Sequence, residues 1–169
     1  MKSIVIIFTL VQLYGVYCMK ISHGQKWTPV DYSQPGRFLI ARETYTSVLE
    51  IYLAIDDAIG NVTVWTNTDL KTRSELLNEL ETFKSEVGQS MLEITQSFLD
   101  GGITTHYRVL LSSLNQFFQI HLNRLNPLIT ILVPTIKDFT GTHAITSCLD
   151  VIQMMEKTME KNEQLISSS

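Results

Sequence analysis

Residues 69–99 read DLKTRSELLNELETFKSEVGQSMLEITQSFL. Leu76, Leu80, Phe83, Val87, Met91, Ile94 and Phe98 recur in it at intervals of three and four. A half-buried strand would repeat its apolar residues at every second position, whereas a helix of 3.6 residues per turn stacks every third or fourth along one face. The stretch is therefore read as an amphipathic helix with one core-facing stripe, which needs partner helices to cover it. Asn67 or Thr68 offers a cap for its start, and Gly101-Gly102 offers a stop.

The same periodicity appears on both sides. Upstream, Phe38, Ala41, Tyr45, Val48, Tyr52, Ile55 and Ile59 form a stripe, widened by Leu49 and Leu53, over residues 37–59. Downstream, from residue 103, Tyr107, Leu110, Leu114, Phe117 and Leu125 share a face, with Leu111, Phe118 and Leu122 beside them. A fourth stretch, residues 142–166, carries Ile145, Leu149, Ile152, Met155 and Met159. Gly36, Gly60, Gly101-Gly102 and Gly141 punctuate the four and read as helix stops.

Pro127 and Pro134 interrupt the third stretch. Proline inside a helix costs about 3 kcal/mol but is tolerated at the first helical position. The expectation is that the helix kinks or ends at Asn126-Pro127, and that residues 128–133 form a short, reoriented helix closing one end of the bundle. Residues 19–35 show no helical period, and Trp27-Thr28-Pro29 and Gln34-Pro35-Gly36 mark them as extended.

The N-terminus has the three parts of an export signal. Lys2 is followed by an apolar run, Ile4 to Leu13, and then by Val16-Tyr17-Cys18, with short side chains suited to cleavage before Met19. The run falls short of the ~20 residues that span a bilayer. The expected organisation is a signal peptide over 1–18, an extended N-terminal segment over 19–35, a helical bundle domain over 36–166 and a polar tail over 167–169. The fold class is all-α, an up-and-down bundle of four to five helices.

Composition narrows the function. The net charge of -4 becomes -5 once Lys2 is removed, which argues against nucleic acid. No mature stretch is apolar enough for a stable membrane span, so a secreted, extracellular protein is expected. Cleavage after Cys18 leaves Cys148 alone, so the fold must rest on its core. A buried thiol is favoured there over an intermolecular disulfide. Asn61-Val62-Thr63 matches the N-glycosylation acceptor and falls just past Gly60, in an expected loop.

Catalytic patterns are missing. His106 and His121 lie about four turns apart, too far to share a metal. His121 reads instead as a hydrogen-bonded core histidine. Asp56 and Asp57 diverge by about 100° on a helix, and Glu43, Glu50 and Asp57 make a solvated edge. Cys148 has no helical charge partner to activate it. No enzyme activity, metal or cofactor is expected. The remaining reading is a secreted, non-enzymatic helical binding protein acting on a macromolecular partner, an extracellular protein. The alternative is a carrier of lipid or another small apolar ligand held between the helices, motivated by a surplus of apolar residues, Ile51 among them. Candidate contacts for ligand or partner are Leu128, Ile131, Leu132, Met154 and Met155.

Overall fold

The computed structural model describes residues 35–99 and 103–167. The expected signal peptide and nearly all of the extended segment lie outside the described residues. Four long helices make up the described chain: α1 (Pro35–Val64), α2 (Leu70–Leu99), α3 (Ile103–Leu132) and α4 (Phe139–Ser167). A single 3-10 turn, Val133–Thr135, lies between α3 and α4. No strand occurs among the described residues. Each helix packs on the next, and α1 packs on α4.

Side-chain pairs fix the directions. Lys84 of α2 reaches Asp56 of α1, and Phe83 of α2 meets Phe117 and Phe118 of α3. Asn115 of α3 donates to the Met159 carbonyl of α4 at 3.1 Å, and Lys161 of α4 pairs with Glu43 of α1. Arg124, late in α3, approaches Glu79, early in α2; Arg73, early in α2, donates to the Trp65 carbonyl just past α1; and Lys161 stands late in α4 where Glu43 stands early in α1, so these neighbouring helices run antiparallel. The result is a helical bundle with one common core.

The α2 stripe lies where the periodicity puts it: Leu76, Leu80, Phe83, Val87 and Ile94 are buried, and Met91 is half-buried against the core. The α1 stripe is rotated from the expected one. Val48 and Ile55 are buried as read, but Thr44, Ile51, Ala58 and Val62 complete the buried face. Tyr45, Tyr52 and Ile59 only flank it, and Leu49 and Leu53 are half-buried. On α4, Cys148 and Val151 occupy the core, while Leu149 is exposed.

Three boundaries correct the sequence reading. Gly60 does not stop α1, which runs on to Val64. The extra turn buries Val62, worth about 1.5–3 kcal/mol, against the ~1 kcal/mol that an interior glycine costs. Asn61 consequently sits in the last turns of a helix, half-buried, and not in a loop. Pro127 does not break α3. It stands on the solvent side, while Leu125, Ile129 and Leu132 hold the inner side in the core. Burying Ile129 and Leu132 gives about 1.5–3 kcal/mol each, enough to offset the ~3 kcal/mol of an interior proline. Residues 128–132 therefore continue α3 instead of forming a reoriented plug. The helix ends at Leu132, before Pro134, which is the second residue of the 3-10 turn, where it is tolerated.

The third correction concerns caps. Asp69, not Asn67 or Thr68, caps α2: its carboxylate accepts from the Thr72 backbone N–H at 3.0 Å and from the Thr72 hydroxyl. Asp138 caps α4 through the Gly141 N–H at 2.8 Å and the Thr140 hydroxyl at 2.7 Å. The two connections meet side by side. Asn67 donates to the second oxygen of Asp138, and the Thr68 and Thr135 hydroxyls bond at 2.8 Å.

Trp65 closes this end of the bundle and is fully buried. Its ring lies on Gly141, which begins no stop but sits in the first turn of α4. A Cβ added at Gly141 would stand 2.7 Å from Trp65 Nε1, whereas one at Gly60 would meet nothing within 4 Å. Gly141→Ala is therefore expected to destabilise the protein by about 1–3 kcal/mol through overpacking. Gly60→Ala is expected to stabilise it by about 0.5–1 kcal/mol. Urea unfolding of the two variants checks both signs.

The caps also set an acid limit. Hydrogen bonds from the Thr72 hydroxyl and backbone hold Asp69 below the usual carboxylate range, and the Gly141 N–H and Thr140 hydroxyl do the same for Asp138. A carboxyl depressed in the folded state stabilises above its unfolded value of 3.8 and loses that contribution as pH falls through the folded value. Stability is thus expected to drop below about pH 4. The drop should be shallower in the D69A/D138A variant, as measured by urea midpoints across an acid titration.

Candidate interaction surface

The most elaborate polar cluster in the bundle is structural. His121 of α3 is fully buried. Its Nδ1 lies 2.9 Å from Glu79 Oε1 and its Nε2 lies 3.0 Å from Glu86 Oε2, both on α2. Two turns separate these glutamates, and Phe83 between them stacks on the imidazole at 4.3 Å while Phe117 meets its edge. Arg124 approaches Glu79 at 3.6 Å. An imidazolium can donate to both carboxylates, a neutral ring to only one. With both nitrogens engaged and the ring sealed, His121 cannot serve as a base toward a substrate. It is the core histidine that its place on the stripe implied, with partners 42 and 35 residues away.

Cys148 is buried, and burial pushes its thiol up to about 12. Such a thiol is neither a nucleophile nor accessible for an intermolecular disulfide while the bundle is folded. No three His, Cys, Asp or Glu side chains among the described residues converge on a point where a metal ion could sit. A shallow cleft of about 340 Å³ opens between α1 and α2, lined by Tyr52, Ile59, Glu81, Lys84, Ser85 and Gly88. Lys84 crosses it, paired with Asp56 and 5.4 Å above the Tyr52 ring. It is open to solvent, and two of its six lining residues, Glu81 and Lys84, are charged.

The candidate contact residues do not come together. Leu132 and Met155 are fully buried, and Leu128 is half-buried against the core. Met154 is partly exposed on the side of α4 that carries Lys161 toward α1. The Asn115–Met159 bond sets Met155 level with the middle of α3, roughly 18 Å along the axis from Leu132. Ile51, counted as surplus, is in the core. Ile131 alone of the five is well exposed, at 58%.

Ile131 belongs to a strip that sequence reading missed. Val109 (65% exposed), Ile120 (44%) and Ile131 project from the outer side of α3 at intervals of eleven residues. Eleven residues make three helical turns to within about 20°, so the three stand in line over roughly 33 Å. Ser113, Gln116 and Asn123 lie between them, all exposed. The exposed charges of α3, Arg108 beside Val109 and Arg124, which turns to Glu79, are both basic. The other helices differ: Arg42, Glu50 and Asp57 on α1, Lys71 and Glu81 on α2, and Asp150, Lys157 and Glu160 on α4 are exposed charges. No Asp or Glu occurs anywhere between Asp100 and Asp138. That gap and the eleven-residue spacing were the available signals. Depletion of charge with retained aliphatic side chains is the composition of an interface centre.

Comparison with protein families, with curated proteins and with solved structures gives no match. No described helix is long and apolar enough to cross a membrane.

The His121 clamp can be tested apart from any ligand. His121→Leu is expected to cost about 2 kcal/mol, because it removes the polar contacts across the α2–α3 seam and leaves Glu79 without its imidazole partner. Glu86→Gln should cost less, since the Glu86 side chain is half-exposed and stays solvated when released. Chemical unfolding of the two variants gives the ordering.

Proposed function

We propose that this chain is an exported, non-enzymatic helical binding protein that meets a macromolecular partner through the outer strip of α3. The observation that supports it is the line of Val109, Ile120 and Ile131, exposed on a face without acidic residues while the other helices are charged outside. The self-sufficient core, with His121 and Cys148 sealed inside it, supports a role carried by the surface. Export rests on the Lys2, Ile4–Leu13 and Val16–Cys18 pattern. A glycan at Asn61 remains part of this reading. The acceptor now lies in α1, with the Thr63 hydroxyl bonded to the Ile59 carbonyl at 2.7 Å, so sugar transfer would have to precede closure of that turn.

The test is saturable binding of labelled protein to intact cells or extracellular matrix. Ile120→Glu is expected to weaken it at least tenfold, roughly the effect of losing one buried interface anchor. Lys157→Ala, on the charged outer side of α4, should leave it unchanged. Equal binding by wild type and I120E would overturn the reading. A stoichiometric lipid in native mass spectra, without saturable surface binding, would favour the carrier.

A further inference from the structure

The end of the bundle closed by Trp65 carries a second exposed apolar group. It gathers the last residue of α1 (Val64), the first of α2 (Leu70), the residue after α3 (Val133) and the first of α4 (Phe139), all exposed. The connections that bear them are held side by side by the Asn67–Asp138 and Thr68–Thr135 bonds. Helical side chains lean toward the helix N-terminus. Leu70 (66% exposed) and Phe139 (80%) open their helices, so they lean off the end of the bundle and not along its flank. The Phe139 ring is backed by the His143 imidazole, which lies nearly parallel to it at 6.0 Å.

The charge of this end differs in sign from that of the rest. Residues 35–169 hold sixteen Asp and Glu against ten Lys and Arg, but residues 64–73 and 133–143 hold three cations against two acids. Both acids are the caps Asp69 and Asp138, whose carboxylates accept from the first turns of α2 and α4. Arg73 is held by the Trp65 carbonyl. Lys71 and Lys137, next to the apolar residues in the chain, are exposed. The next acid along α2, Glu75, stands about 8 Å from Leu70 along the axis, about one Debye length at physiological salt. Asp57 on α1 and Asp150 on α4 are farther from the end.

We infer that this end of the bundle docks reversibly on an anionic lipid surface, with Phe139 and Leu70 entering the headgroup layer and Lys71 and Lys137 meeting its negative headgroups. Apolar side chains that project beside cations are the chemistry of interfacial membrane binding. Lysine suits that place, since its stem lies along apolar surface while its ammonium stays among the headgroups. A fluid surface also takes projections from four separate chain segments without a matching pocket. The acids of the bundle stand mostly a Debye length or more behind the end, where salt screens their repulsion. Two apolar side chains and two lysines make a weak anchor, so the docking is reversible and salt-sensitive. It does not rest on the α3 strip: Ile120, the centre of that strip, lies about 18 Å along the axis from Leu132.

The experiment is co-sedimentation of the purified chain with phosphatidylcholine vesicles, pure or with about 30% phosphatidylserine, with circular dichroism verifying that each variant keeps its helices. Wild type should bind the serine-containing vesicles roughly tenfold better than the neutral ones, and about 0.5 M salt should remove most of that preference. L70D/F139D should weaken binding to the anionic vesicles roughly tenfold or more. Aspartate in a first helical turn is favourable, so this variant should stay folded. K71E/K137E should lower binding to the level seen on neutral vesicles. I120E, on the α3 strip, should bind vesicles like wild type. Absence of binding to anionic vesicles overturns the inference. So does binding that L70D/F139D leaves unchanged, a preference for anionic lipid that survives K71E/K137E, or a loss in I120E equal to that in L70D/F139D. If vesicles are ignored while L70D/F139D loses saturable binding to cells, this end contacts a protein and the lipid surface is excluded.

Discussion

Trp65 on Gly141 is the contact that joins the beginning of the bundle to its end. The ring can lie there only because residue 141 has no side chain. Burial of a tryptophan removes 150–250 Å² from water, worth up to about 4–6 kcal/mol. Its Nε1 finds no hydrogen-bond partner, a cost of about 1–3 kcal/mol. The apolar gain is the larger, so the ring stays inside. Its seat brings the last turn of α1 onto the first turn of α4. The α1–α2 and α3–α4 connections then run together, and one carboxylate, Asp138, both caps α4 and receives Asn67.

Between these ends the core is aliphatic, and an aliphatic seam tolerates slippage. Polar groups inside it do not. His121 finds both carboxylates in one register of α2 against α3. Asn162, nearly fully buried, donates to Asn115 at 2.8 Å, and Asn115 passes the bond on to the Met159 carbonyl. Slipping α4 by a turn would leave buried amides unpaired, each at about 1–3 kcal/mol. Buried polar groups of this kind are best attested as register devices. Cys148 is a free thiol, so these pairs fix the register without help from a cross-link through it.

The helices were legible because periodicity survives any tertiary arrangement, and α2 shows this best. Its stripe has only large apolar residues, so nothing shifts its centre. On α1 the buried face includes Thr44 and Ala58, a polar and a small residue that a search for large apolar side chains passes over. The reading therefore drifted toward Tyr45, Tyr52 and Ile59. Thr44 is tolerated inside because its hydroxyl bonds back to the Ile40 carbonyl at 2.8 Å. Gly60 and Pro127 misled for one reason: local propensity is worth a few kcal/mol at most. Val62 beyond the glycine, and Ile129 and Leu132 beyond the proline, outweigh it. The partners of His121 were illegible, since no local rule joins residues 35 and 42 apart.

The outer strip was missed because core reasoning asks where apolar residues cluster, and these three do not. Val109, Ile120 and Ile131 are diluted by serine, glutamine and asparagine, and singly each is an ordinary exposed aliphatic residue. What separates them from ordinary ones is the negative charge that is missing around them. A free helix face in an acidic protein gains solubility from carboxylates, and the rest of the bundle takes that gain. Thirteen acids stand on α1, α2 and α4, and α3 has none. A buried charge without a partner would weaken an interface by several kcal/mol, so a face that is covered in use does better without acids. The acid-free length, which is all of α3, contains the whole of the apolar line. That correspondence ties the composition of one helix to what the bundle presents on its outside.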